Sequence, residues 1–245
     1  MKIREAIVLA GGLGTRLQSV LPDLPKCLAP VAGQPFLTYV INHFRLQGID
    51  QFIFSLGYKH EAIEIFLKDQ YPGLSYKVSI EEQPLGTGGA IARACKMTEE
   101  KSVIVLNGDT LFAVQLDKLV PFHFMTGAHC TLSLKPMKQF DRYGTVQMQT
   151  DYRITSFEEK KFCASGNING GVYVLNADSF KKENPGEVFS FEKEYLEPYV
   201  ADKRIYGVLQ DAYFIDIGIP EDFERAQHEL AAYQKLKNDR PYHHR

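Results

Sequence analysis

The sequence predicts an α/β domain with a mixed, mostly parallel central sheet and a smaller antiparallel part in its second half. Three observations carry this. Short apolar, β-branched runs recur at Ala6–Ala10, Gln51–Ser55, Lys77–Ile80 and Ser102–Leu106. Stretches with apolar residues at helical spacing lie between them, the order that builds a parallel sheet. After Asn107-Gly108-Asp109 the texture changes to strand-like runs at Cys130–Lys135, Thr145–Gln149, Arg153–Glu158 and Gly171–Leu175, with fewer helices between them.

Taken in order, Ala6–Ala10 reads as a buried first strand. It is apolar only briefly, lacks a small-residue cleavage site and is far shorter than a membrane span. In Phe36–Gln47, residues Phe36, Leu37, Val40, Ile41 and Phe44 fall on one helical face, as do Ile63, Phe66 and Leu67 in His60–Asp69, and Ile91, Ala94 and Cys95 after Gly89. A last helix from Pro220 to about Leu236 starts with Pro in its first turn and Glu221-Asp222 at the positive end of its dipole, and closes the domain.

The 245 residues read as one compact unit, with no repeat or long linker. A content of 44% hydrophobic and 24% charged residues excludes a disordered chain. Lys and Arg total 28 against 30 Asp and Glu, a net charge of -2, which argues against a nucleic-acid coat or an anionic membrane as partner. Cys27, Cys95, Cys130 and Cys163 have no paired spacing, which argues against a disulfide framework or structural zinc and suits a reducing cytoplasm.

The strongest local signal is Leu9-Ala10-Gly11-Gly12-Leu13-Gly14-Thr15-Arg16-Leu17, a glycine-rich turn directly after the first strand. Glycines allow close backbone approach, so successive N–H groups can converge on phosphate oxygens, and Arg16 adds a forked cationic donor. A tight turn without a ligand is the bland alternative. A dinucleotide fingerprint is disfavoured because Leu17 stands where the third glycine belongs and Ser55, not an acid, ends the second strand. A Walker loop is disfavoured because Gly14-Thr15-Arg16 replaces Gly-Lys-Ser/Thr. Downstream, Leu24-Pro25-Lys26-Cys27-Leu28-Ala29-Pro30 pins Lys26 between prolines, in backbone expected to be extended.

Gly-Gly-x-Gly-Thr-Arg-Leu followed by Pro-Lys-x-Leu-x-Pro-Val-x-Gly-x-Pro-Phe-Leu resembles the signature of the sugar-1-phosphate nucleotidyltransferases. The resemblance continues through most of the chain and implies their three-layer Rossmann-like fold, with residues 1–110 mainly for the nucleotide and 111–220 mainly for the sugar phosphate. By resemblance, Leu9, Ala10, Gly11, Gly12, Gly14, Thr15 and Arg16 would bind the nucleotide, together with Gln83, Pro84 and Gly88 of Glu81–Ala90. Gln83 can donate and accept at a base edge, and Gly88 would let the backbone lie close to it.

Asp109 follows a buried run, at the carboxyl edge of the sheet where open α/β folds place ligands. Asp216 sits in the apolar run Tyr213–Ile217, where an unpaired carboxylate is costly unless a cation compensates. Two such acids suggest a shared Mg²⁺, and both fall on the family's metal positions. Asp109 would also contact the nucleotide. Tyr143, Gly144, Glu158, Lys160 and Asn169 match the sugar-phosphate half. If residues 154–160 are extended, Glu158 and Lys160 share a face and Glu159 points away, a choice that a bulge would reverse.

The implied reaction is in-line attack of a sugar 1-phosphate oxygen on the α-phosphorus of a nucleoside triphosphate, with pyrophosphate leaving. Arg16 would hold the leaving group and Lys26 the α-phosphate, these two being the catalytic residues. No general base is demanded, since the attacking phosphate is already ionised. Within the superfamily, the motifs around Gln83, Tyr143, Glu158, Asn169 and Asp216 look most like those of bacterial D-glycero-D-manno-heptose 1-phosphate guanylyltransferases, which implies GTP and a heptose phosphate. Mannose-1-phosphate guanylyl, uridylyl and thymidylyl relatives share most of these residues. A catalytically silent nucleotide-sugar-binding regulator is a reading from another class, and a homo-oligomer stays open.

Overall fold

The computed structural model describes residues 2–12, 24–183, 186–202 and 204–238, with backbone only for 233–238. In chain order the elements are β1 (Glu5–Leu9), β2 (Pro30–Val31), β3 (Gln34–Pro35), α1 (Phe36–Arg45), β4 (Gln51–Leu56), α2 (His60–Gln70), β5 (Ser75–Ile80) and α3 (Gly86–Cys95). Next come β6 (Ser102–Asn107), β7 (Thr110–Phe112), α4 (Leu116–Thr126), β8 (Cys130–Phe140), β9 (Val146–Met148) and β10 (Ile154–Phe157). The last are β11 (Cys163–Asn176), α5 (Ala177–Glu183), α6 (Glu197–Val200), β12 (Ile205–Leu209), β13 (Phe214–Asp216) and α7 (Pro220–Asn238).

Seven strands form one sheet in the order β12-β8-β11-β6-β1-β4-β5. Every neighbouring pair is parallel except those of β11, which runs antiparallel to both β6 and β8. The expected mixed, mostly parallel sheet is therefore present. Side chains of one strand divide between two cores. Ala6 and Val8 pack with α1, α2, α4 and α7, whereas Ile7 packs with α3, α5 and Phe191. A strand buried on both faces reads as an unbroken apolar run, and two cores separated by one sheet make three layers.

Several expected elements change on inspection. The run Gly171–Leu175 belongs to one long strand that begins at Cys163, pairs with β8 from its start and lies beside β9 before it reaches β6. Its register with β8 breaks between Asn169 and Tyr173, where Gly171 takes a positive φ of 72°. Helix α4 has no counterpart among the sequence expectations, because Pro121 lies inside it; Gly127, at φ 61°, closes it. Lys26 is not extended. Residues Lys26–Leu28 make one 3₁₀ turn between extended Pro25 and Ala29.

Helix α7 closes the domain by gripping two distant segments. The Gln227 side-chain amide donates to the Pro30 carbonyl and its oxygen accepts from the Ala32 N–H, both 2.8 Å, fixing the β2–β3 hairpin just beyond Lys26. One turn earlier, Asp222 pairs with Arg142. No described helix is long and apolar enough to cross a membrane.

Candidate active site

The two acids singled out by sequence meet through the β7–β13 pair. Thr110 lies opposite Asp216, and the Ile217 N–H donates to the Asp109 carbonyl at 3.2 Å, so carboxylates more than a hundred residues apart share one edge. Lys26 joins them, its Nζ 2.6 Å from Asp109 Oδ2 and 3.6 Å from Asp216 Oδ1. The Lys26 side chain is only 14% exposed, and a cation so enclosed is held by its partners. Beneath it, burial pushes the Cys27 thiol up to about 12, so this side chain packs as an uncharged group.

An oxygen-only donor pair that already shares one cation suits Mg²⁺, which takes one or two carboxylates and completes its shell with phosphate and water oxygens. Among the described residues no cluster of three acidic, His or Cys side chains offers a fuller cage.

On the side that the resemblance assigns to the nucleotide, the ends of β1, β4 and β6 interlock. Leu9 O accepts from the Gly108 N–H at 2.8 Å, and the Ala10 N–H donates to Ser55 O at 2.9 Å. A Cβ on Gly11 would stand 3.0 Å from Glu81 Oε1 and 3.1 Å from the Gly57 nitrogen, so this glycine answers to packing. A Cβ on Gly12 would meet nothing within 4 Å among the described residues. Gly14, Thr15 and Arg16 lie outside the described residues.

Gln83 and Pro84 are exposed in the turn between β5 and α3, whereas Gly88 is buried. The structure gives Gly88 a different reason from the expected approach of a base: a Cβ there would fall 2.1 Å from the ring of Phe189. Gly86, at φ 70°, and Gly89 are crowded in the same way by Phe189 O and Glu187 O. Main-chain bonds complete the clip, with the Gly88 N–H donating to Phe189 O at 2.9 Å and the Phe189 N–H to Leu85 O at 3.0 Å.

On the side that the resemblance assigns to the sugar phosphate, a cavity of about 930 Å³ brings Tyr143, Gly144, Glu158, Lys160 and Asn169 together and reaches Asp216. Glu159 also lines it, because β10 stops at Phe157 and strand alternation does not extend to Lys160. Gly144 is needed where it stands: a Cβ would lie 2.3 Å from the Glu158 carbonyl. The Glu158 carboxylate accepts from Thr145 Oγ1 and Gln147 Nε2, each at 3.1 Å, and pairs with Lys161 at 3.0 Å. The hydrogen bond from Lys161, then that from Thr145, hold its pKa below the usual carboxylate value. Lys160 is exposed at the rim.

Residues 5–232 match the model of the nucleotidyl transferase family. The chain belongs to that family. A D-glycero-alpha-D-manno-heptose 1-phosphate guanylyltransferase of Aneurinibacillus thermoaerophilus is 52% identical over 229 residues, 94% of this chain and 99% of that protein. The mannose-1-phosphate guanylyltransferase of Mycobacterium tuberculosis is 34% identical over 92% of this chain and 64% of its own length. Among solved structures, HddC from Yersinia pseudotuberculosis, also solved in complex with GMP-PN, has a TM-score of 0.83 at 35% identity, covering 93% of this chain and all of that one.

In this nucleotidyltransferase, further side chains support the site without having been assigned a role by motif. Glu81 accepts from Ser55 Oγ at 3.2 Å and from the Leu85 N–H at 3.1 Å, bracing the glycine turn against the start of α3. Arg142 lies over the Tyr143 ring, 5.6 Å from its centroid, and is held by Asp222. The Tyr143 hydroxyl faces Asp216 Oδ2 at 3.4 Å. In the sequence Asp222 stands out as part of the acidic first turn of α7, which reads as dipole chemistry, and as the last residue of the family's Asp-x-Gly-x-Pro-Glu-Asp closure; neither signal predicts its pairing with Arg142.

Proposed function

We propose that the chain transfers a guanylyl group from GTP to D-glycero-α-D-manno-heptose 1-phosphate. The observation that carries the reading is the Lys26–Asp109–Asp216 constellation, whose Asp216 also lines the cavity that holds Tyr143, Glu158, Lys160 and Asn169. The choice of guanine and heptose rests on the 52% identity to a heptose 1-phosphate guanylyltransferase across nearly its whole length. An oxygen of the sugar phosphate forms a bond to the α-phosphorus of GTP as the bond to the β-phosphate oxygen breaks and pyrophosphate departs.

Such a transfer depends on positioning and charge neutralisation, which are the tasks these residues can perform. Lys26, oriented by the two acids, presents its ammonium to the α-phosphate, and Arg16 receives the leaving pyrophosphate. Asp109 and Asp216 would hold Mg²⁺, which when bound offsets the charge of the phosphate oxygens. Glu158 accepts sugar hydroxyls, Gly144 offers its backbone, and Lys160 meets the incoming phosphate at the rim. The free cysteines suit a reducing cytoplasm.

The test is pyrophosphate release with Mg²⁺ and a matrix of nucleoside triphosphates and sugar 1-phosphates. GTP with the heptose phosphate is expected to give the highest kcat/KM. A preference for UTP or dTTP overturns the guanylyl assignment, and tight nucleotide-sugar binding without release from any pair identifies a silent homologue.

A further inference from the structure

One wall of the sugar cavity is a π-helix, Phe191–Leu196, that no motif in the sequence announces. Such turns are rare and concentrate at functional sites. This one is firmly anchored. Ser190 Oγ accepts from the Lys193 N–H at 3.3 Å, while Glu194 Oε2 accepts from the Ser190 N–H at 2.6 Å. The buried rings of Phe191 and Tyr195 stack at 5.2 Å, and the Phe191 N–H donates to Thr87 Oγ1 at 2.9 Å. Glu192, between these anchors, lines the cavity.

A side-chain amide has two N–H donors. In this chain Asn169 Nδ2 donates to the Tyr173 hydroxyl at 2.8 Å and to Glu192 Oε1 at 2.7 Å, and its Oδ1 accepts from the Gly171 N–H at 3.1 Å. Both donors are committed inside the protein. The Gly171 bond fixes which way the amide points, so its N–H must face Glu192. A carboxylate has about four acceptor sites, and among the described residues Glu192 uses one of them. Sugar hydroxyls bring donors that need acceptors.

We infer that Glu192 is a carboxylate that accepts hydroxyl hydrogens of the sugar 1-phosphate, and that Asn169 is its positioning residue. The inference deepens, and rests on, the assignment of this cavity to the sugar phosphate. It divides the recognition between a motif residue that sets geometry and a non-motif residue that touches substrate, so sugar preference can change at position 192 while the motif stays constant.

Steady-state kinetics of the full chain with Mg²⁺ and GTP test it. Glu192→Ala is expected to raise KM for the sugar 1-phosphate about 10-fold or more, the scale of a lost hydrogen bond to a charged group, with KM for GTP within about twofold of wild type. Glu192→Gln, which keeps the size and packing, should raise it less and unfold at the wild-type temperature; it carries the test if the alanine variant is unstable. A sugar 1-phosphate lacking the contacted hydroxyl should be a poor substrate for wild type and no worse than the parent sugar for Glu192→Ala. Asn169→Ala should raise the same KM, with no further rise when combined with Glu192→Ala. An unchanged sugar KM in both Glu192 variants, or equal rises in both substrates' KM, overturns the inference alone. Absence of turnover by wild type with every sugar 1-phosphate overturns it together with the proposed function.

Discussion

On the nucleotide side of the cleft, the ends of β1, β4 and β6 are tied to one another by main-chain bonds, and glycines stand where Cβ atoms would collide. On the sugar side, Glu158, Asn169 and Glu192 are placed by Thr145, Gln147, Tyr173 and the turn at Gly171. A wall made of backbone cannot be edited without moving strands, whereas one made of side chains can be rewritten residue by residue. The first suits triphosphate chemistry common to every substrate pair, the second a sugar that differs between relatives. Lys26, Asp109 and Asp216 sit on the seam between them and, in the proposed function, would serve both.

The seam should be the most sensitive place. Asp109→Asn keeps the shape of the side chain but removes the charge that faces Lys26 at 2.6 Å. Turnover is expected to fall at least about 10³-fold, roughly 4 kcal/mol of transition-state stabilisation. Lys26 keeps Asp216, and Asp109 is 39% exposed, so the unfolding temperature should move by less than about 4 °C. Pyrophosphate release and a thermal melt on one preparation decide it, and near-normal rates remove Asp109 from the reaction.

Two glycines of the nucleotide side give the next contrast. Gly88→Ala drives a Cβ into the Phe189 ring, buried at 3% exposure, and should cost about 1–3 kcal/mol, a drop of roughly 2–12 °C. A Cβ at Gly12 meets none of the described residues within 4 Å, so Gly12→Ala should leave the melt unchanged within about 2 °C and raise KM for GTP, its cost arising when a ligand approaches. A stable Gly88→Ala with impaired GTP binding would return Gly88 to the base-binding role that its motif suggested.

Legibility in the sequence follows from the range of the forces involved. Strands β1, β4 and β6 announce themselves because burial on both faces demands nearly unbroken apolar runs. The pairing of Asp109 with Asp216 could be anticipated because a carboxylate in an apolar strand needs a cation, and the resemblance supplied the partner. By contrast, Gly86, Gly88 and Gly89 answer to residues 187–189, about a hundred positions away, and nothing local distinguishes a glycine that admits a ring from one that admits a base. Helix α4 was hidden by Pro121. Glu192 carries no pattern at all, since its importance lies in two hydrogen atoms of Asn169 that only the folded chain assigns.

The smallest expected effect divides the seam from the sugar wall most finely. Tyr143 belongs by motif to the sugar, yet its hydroxyl faces Asp216 Oδ2 at 3.4 Å, with Arg142 over its ring and Phe214 edge-on at 5.9 Å. Burial, then the charge of Asp216, pushes its pKa up to about 12, so the hydroxyl keeps its proton and stays a donor throughout the neutral range. Tyr143→Phe preserves both ring contacts and deletes only that donor. At about 0.5–1.5 kcal/mol for one such bond, kcat should fall two- to tenfold with KM for the sugar phosphate nearly unchanged. The pH dependence of kcat between about 6 and 10 should keep its shape, because the group removed does not titrate there. If instead the loss falls on the sugar KM with kcat intact, the hydroxyl contacts substrate rather than orienting Asp216, and Tyr143 belongs to the side-chain wall.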